Sequence, residues 1–189
     1  GYDEKLFTPR PVARRDVLAK YGIKEEPPAL VAFVGKLAHF KGIDLLIRAA
    51  ALYEQRIPGA MTLIVGQGEL RAELEGLVSE LGVAGVRFLG HQTQDAVADI
   101  YSVADVSTVP SRHEPFGLVA IEALACGTPV VGTNGGGLPD FIDDRVGRLV
   151  PLEDAAALGE AIAGEILSGA KKTKGPFAAR YAREGFAWR

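Results

Sequence analysis

The chain has 189 residues, 48% apolar and 24% charged, which is the balance of one packed globular domain and not of a disordered, collagenous or membrane-spanning chain. Lys and Arg number 21 against 24 Asp and Glu, a formal charge of −3 that leaves no basic footprint for nucleic acid beyond Lys171, Lys172 and Lys174. A single cysteine, Cys126, and three scattered histidines, His39, His91 and His113, exclude a disulfide framework and a clustered Cys/His metal site.

Residues 1–11 carry neither an initiator Met nor a signal-type apolar segment, and Pro9 and Pro11 make them turn-rich. They read as an inter-domain linker, with a domain boundary before Gly1, so any targeting information would lie outside this sequence. A buried strand is predicted over residues 30–34, ending at Gly35, and helical spacing of apolar residues follows over 43–55. The theme repeats with a strand over 61–65 ending at Gly66, and a helix over 69–81 with Leu70, Leu74, Leu77, Val78 and Leu81 on one stripe. Next come a strand over 86–89, a short helix over 96–103, a strand over 106–109 and a helix over 117–125. The pattern closes with strands over 129–132 and 147–150 and a helix over 154–167. The uncharged run 123–139 holds Pro129, Asn134 and five glycines, so it is not a membrane helix. Residues 171–189 read as a tail broken at Gly175-Pro176, with a short final helix whose Phe186 and Trp188 dock on this domain or on a partner domain.

Near-continuous apolar strands alternating with amphipathic helices predict a doubly wound parallel α/β domain over residues 12–170, covered on both faces. Ligands in such sheets sit beyond the carboxyl ends of the strands, near the point where strand order reverses. The loops after Val34, Val65, Leu89, Val109 and Gly132 are therefore the ones to inspect.

The strongest group is the run from Ser111 to Glu122. Glu114 precedes a helix opened by Pro115, so the amides of Phe116, Gly117 and Leu118 form an anion site at that helix start. Glu122 sits among Ile121, Ala123, Leu124 and Ala125, where a carboxylate needs hydrogen-bond partners such as a pair of ligand hydroxyls. The plainer alternatives are a helix-capping Glu114 and a surface-facing Glu122. Gly35-Lys36 and Lys41-Gly42 put two ammonium groups at the sheet edge, able to neutralise a diphosphate or simply forming a solvated basic turn. Gly42-Ile43 rules out a P-loop ending, and Gly66-Gln67-Gly68 lacks the third glycine of a dinucleotide fingerprint. Gly135, Gly136 and Gly137 mark a loop where backbone approaches something closely, a ligand among the options. No G-x-S-x-G elbow surrounds Ser111. Cys126 reads as a packed structural thiol.

Residues 34–42, 63–69 and above all 109–137 resemble the retaining nucleotide-sugar glycosyltransferases of family 4, the glycogen-synthase-like group with the GT-B fold. Glu114 and Glu122 fit its E-x7-E signature. Pro110-Ser111, the Glu114-to-Leu118 run and Gly127-Thr128-Pro129-Val130-Val131 match the pattern around it, and residues 1–9 resemble the segment joining the family's two halves. The likeness reaches from residue 1 to about residue 167. It implies the Rossmann-like, donor-binding C-terminal half of an enzyme that transfers a hexosyl group from a nucleoside diphosphate sugar.

On that resemblance Lys36 and Lys41 hold the diphosphate, with Lys36 a point charge where the family usually has Arg. Glu114 contacts the donor sugar and Glu122 the ribose. Phe116, Gly117 and Leu118 offer amides to the phosphates, Gly35 and Gly66 border the donor, and His91 lies near the base. No cofactor or divalent metal is implied, in keeping with the absent D-x-D. The implied partner is an N-terminal acceptor domain of the same protein, without which this chain binds donor but does not transfer. The expected location is cytoplasmic, with peripheral membrane association left open. The rival readings are an epimerase-type GT-B enzyme and a non-catalytic nucleotide-binding module.

Overall fold

The computed structural model describes residues 1–188. Six apolar runs form β1 (Leu30–Val34), β2 (Met61–Val65), β3 (Val86–Gly90), β4 (Val106–Val109), β5 (Val130–Thr133) and β6 (Gly147–Val150). All pair in parallel, in the order β3-β2-β1-β4-β5-β6. The helices are α1 (Arg14–Ala19), α2 (Ile43–Arg56), α3 (Arg71–Leu81), α4 (Gln94–Val103), α5 (Leu118–Ala125), α6 (Ala155–Leu167) and α7 (Ala170–Phe186). This is the doubly wound, Rossmann-like α/β sheet that the alternation of patterns predicts.

The sheet separates two apolar clusters, and alternation along each strand decides which residue enters which. Leu30 and Ala32 of β1 face a cluster with Ile100, Tyr101, Leu124 and Ala178, while Val31 and Phe33 face Leu46, Ile47, Tyr53 and Ile162. In the four inner strands both parities are covered, which is why β1 and β2 read as near-continuous apolar runs, whereas the edge strands β3 and β6 expose Arg87 and Arg148. Leu46 and Ile47 are fully buried, and each such side chain is worth about 1.5–3 kcal/mol against exposure.

Several boundaries shift for local reasons. Helix α3 starts at Arg71 and not at residue 69, because Leu70 N–H bends back to the Leu37 carbonyl oxygen (3.4 Å). Helix α4 starts earlier than the apolar spacing suggests, at Gln94, because the Thr93 hydroxyl caps it by accepting Ala96 N–H (3.2 Å). Residues 1–11, read as a linker, are packed onto this domain. Tyr2 and Phe7 are 2% and 3% exposed, and Tyr2 forms a parallel bridge with Ala187.

The tail differs most from expectation. No break occurs at Gly175-Pro176: α7 is one helix of 17 residues with Pro176 inside it. An internal proline costs a helix roughly 3 kcal/mol, and here the burial of Ala170, Gly175, Ala178 and Ala182 offsets it. Phe186 docks on this domain, edge-on to Phe141 with ring centroids 5.5 Å apart, while Trp188 stays 66% exposed.

Two glycines of α7 make this packing testable. A Cβ on Gly175 would lie 2.5 Å from the Gly127 carbonyl oxygen, whereas one on Gly185 meets nothing within 4 Å. Gly175→Ala should lower the melting temperature by about 3–6 °C despite alanine's better helix propensity. Gly185→Ala should leave it unchanged or raise it by about 1–2 °C. Thermal melts followed by circular dichroism decide this, and equal shifts for the two variants would contradict the packing account.

Candidate functional site

Strand order reverses between β1 and β4, so the chain leaves these neighbours toward opposite faces and a crevice opens beyond their carboxyl ends. The loops after β1, β2 and β3 and one face of α5 enclose a cleft of about 830 Å³ there. Gly35, Lys36, Gly66, His91 and Glu122, five of the residues singled out in the sequence, line it together.

Close backbone packing shapes the cleft floor. Gly66 has φ +140°, and a Cβ on it would sit 1.8 Å from the Gly35 carbonyl oxygen. The loops after β1 and β2 are joined by Gly35 N–H to the Val65 carbonyl oxygen and by Leu37 N–H to the Gln67 carbonyl oxygen, both 3.0 Å. Gly66-Gln67-Gly68 is thus a tight turn after β2 that forms one wall of the cleft. Lys36, in the loop after β1, is exposed at the cleft, and its ammonium has no hydrogen-bond or ion-pair partner among the described residues.

Glu122 enters from α5. Its carboxylate likewise has no hydrogen-bond or ion-pair partner among the described residues, and burial pushes it up to about 7. Phe7, Val34, Val65 and Val97 line the same space and make this end of the cleft apolar. Phe7, Gln67, Gln92, Gln94 and Val97 were not anticipated as cleft residues. Phe7 comes from the segment read as a linker, Gln67 sits between Gly66 and Gly68, and Gln92, Gln94 and Val97 belong to the loop after β3 and to α4.

Lys41 and Glu114 lie outside this lining and pair with each other. Lys41 Nζ donates to Glu114 Oε2 (2.9 Å), which also accepts from the Ser111 hydroxyl (3.2 Å). Glu114 Oε1 accepts Gly117 N–H (3.2 Å), so this carboxylate is 8% exposed and fully partnered. Its bond from Gly117 N–H matches the capping alternative, while the pair with Lys41 was not anticipated from the sequence. One of the three amides expected to face an anion, that of Gly117, is engaged by Glu114. Phe116 (82% exposed) and Leu118 border a different hollow, about 490 Å³, with Phe141 and Phe186.

The glycine run after β5 approaches backbone, not an open ligand space. A Cβ on Gly136, at φ +58°, would lie 2.2 Å from the Glu114 carbonyl oxygen, which accepts Gly137 N–H (2.9 Å). His39 and His113 are exposed. Cys126 is buried, its thiol pushed up to about 12 by desolvation. Among the described residues no group of three or more His, Cys, Asp and Glu could hold a metal ion. No helix among them is long and apolar enough to cross a membrane.

Comparison with known proteins follows the same lines. A family model described as glycosyl transferases group 1 matches residues 14–175. The chain is 43% identical over 198 residues to a D-inositol 3-phosphate glycosyltransferase of Mycobacteroides abscessus, covering all of this chain but 42% of that protein. It thus spans under half the length of that relative. Among solved structures, sucrose-phosphate synthase of Thermosynechococcus elongatus superposes with TM-score 0.85 at 38% identity, over 100% of this chain and 47% of that one. Anabaena HepE, solved with UDP and glucose, gives TM-score 0.87 at 26% identity, over 99% of this chain and 52% of that one. The C-terminal domain of a group 1 glycosyl transferase from Francisella tularensis matches end to end, 100% of each chain, with TM-score 0.88 at 22% identity, which bears on fold alone.

The raised Glu122 predicts a pH dependence. Its folded value, about 7, exceeds the ordinary 4.5, so the folded chain binds the extra proton between them and stability falls as pH rises through that window. Glu122→Gln should remove this part of the profile and be stabilising at pH about 8. Denaturant midpoints measured from pH about 5 to 8 give the answer, and a variant profile parallel to that of the parent would refute it.

Proposed function

The chain belongs to the glycosyl transferases group 1 family, and from that membership we propose that it is the donor-binding half of a retaining, family 4 type glycosyltransferase. It would bind a nucleoside diphosphate sugar and present its hexosyl group to an acceptor hydroxyl held by an N-terminal domain of the same protein. The observation that carries this reading is the cleft, where an unpaired ammonium, Lys36, and an unpaired carboxylate, Glu122, border one space at the reversal of strand order. A nucleoside diphosphate has hydroxyls for the second and negative charge for the first.

In this reading Glu122 accepts hydrogen bonds from the ribose hydroxyls, and the loop carrying His91 lies by the base. Gly35 and Gly66 form the floor against which the diphosphate lies. Lys36 neutralises the diphosphate, joined by Lys41, which exchanges its bond to Glu114 for one to phosphate. Glu114 then accepts from a sugar hydroxyl and orients the sugar. The start of α5, whose Gly117 amide is held by Glu114, adds a favourable dipole for the charge that develops as the bond between sugar and phosphate breaks. The acceptor enters on the face the leaving group departs from, giving retention. No metal is needed, because the two ammonium groups and the helix start cover the leaving charge. The HepE structure with UDP-glucose supports a uridine donor. We assign the reaction to the cytoplasm. Alone, this chain would bind donor and form no glycoside, because holding the acceptor within the roughly 3–3.5 Å that reaction demands falls to that N-terminal domain.

Thermal shift and calorimetry test the assignment. UDP at about 100 times its Kd should raise the melting temperature by about 5–10 °C, and NAD should not. Lys36→Ala should weaken UDP about tenfold while sparing uridine, because a point charge needs a phosphate. Glu122→Gln should weaken both ligands alike. Stabilisation by NAD in place of UDP, or equal losses for both variants on both ligands, would overturn the reading.

A further inference from the structure

Lys41 and Glu114 meet although they stand on different loops, one after β1 and one after β4. Arg112, two residues before Glu114, spans the gap between those loops. Its two terminal nitrogens donate to the two carboxylate oxygens of Asp44 (2.8 Å each), in the first turn of α2. Nη1 also donates to the His39 carbonyl oxygen (2.8 Å), in the turn that carries Lys41. Nε and Nη2 donate to the carboxylate of Glu153, in the loop after β6. All five guanidinium N–H groups are therefore used. The backbone adds Arg112 N–H to the Phe40 carbonyl oxygen (2.8 Å).

This is more than an exposed surface ion pair, which contributes little to stability. The Arg112 side chain is 18% exposed, and it holds the Asp44 carboxyl below the usual carboxylate range. Glu153 has φ +60°, the one non-glycine residue among those described with a left-handed backbone. That conformation is unfavourable for an L-residue and is held here with its carboxylate bound to Arg112. A lysine could supply the charge but not the planar fork that reaches Asp44, His39 and Glu153 together.

We propose that Arg112 is a positioning residue of the donor site: by tying Asp44, His39 and Glu153 to the loop of Glu114, it sets the distance between Lys41 and Glu114. It thereby fixes where the diphosphate and the sugar are held, while touching neither. This inference rests on the donor reading above. The cleft wall assigned to the nucleoside, with Phe7, Val97 and Glu122, lies on other elements, to none of which the Arg112 side chain is hydrogen-bonded.

The test is a titration of UDP and of uridine, by calorimetry, into the parent chain and into Arg112→Lys and Glu153→Gln. Arg112→Lys should weaken UDP about tenfold and change uridine by less than about twofold. Glu153→Gln, on the solvent side, should weaken UDP about two- to threefold with the same sparing of uridine, and it carries the comparison if Arg112→Lys fails to melt cooperatively. Unchanged UDP affinity in the folded variants, or parallel losses for UDP and uridine, would leave Arg112 a purely structural strut and overturn the proposal. A parent chain that binds UDP no better than uridine would instead sink the donor reading, and the positioning role with it.

Discussion

Parallel pairing is the constraint from which the rest of this molecule follows. Parallel neighbours cannot be joined by a tight turn, so each step across the sheet takes a crossover, and that crossover here is an α-helix laid on one face at every step except β5 to β6, which a loop with one short turn of helix makes. To cover both faces the chain runs outward from β1 through β2 to β3, then returns to place β4 on the other side of β1. The return parts the loops of two adjacent strands, and no crossover fills the space between them. The cleft is thus a product of covering the sheet.

Closing that space to ligand size uses backbone packed on backbone. The loop after β1 lies against the loop after β2, and the loop after β5 against the backbone of Glu114, each contact leaving no room for a Cβ. Such contacts cost conformational entropy in the unfolded chain, but they make the loop positions depend on main-chain geometry and so resist drift. A ligand site built on them is organised before the ligand arrives, which reduces the ordering that binding must overcome.

Glu114 and Glu122 show how environment separates two identical side chains. Glu114 receives an ammonium, a hydroxyl and an amide, so it is held in one orientation. Glu122 is desolvated by burial and has no hydrogen-bond or ion-pair partner among the described residues, and its proton affinity rises accordingly. Leaving a half-buried carboxylate unsatisfied is a standing cost to the fold. A ligand that offers hydroxyls relieves that cost, whereas Glu114 can only exchange one partner for another.

The sheet, its two covered faces and most helices were legible in the sequence because they depend on local periodicity: unbroken apolar runs for strands buried twice, helical spacing for their covers. Candidate site residues such as Lys36 and Glu122 were also visible, since charge at a strand end or on an apolar helix is conspicuous without a structure. Which of them share a space was not legible. That Lys41 turns to Glu114 while Lys36 faces the cleft, and that Phe7 lines it, depends on contacts between segments distant in the chain. The unbroken α7 has the same origin, because its cost is local to Pro176 while its compensation comes from the buried face of the helix. Sequence by itself determined the elements and the chemistry available. Tertiary structure alone decided which groups meet, because burial and close approach are properties of the packed chain and not of any one segment of it.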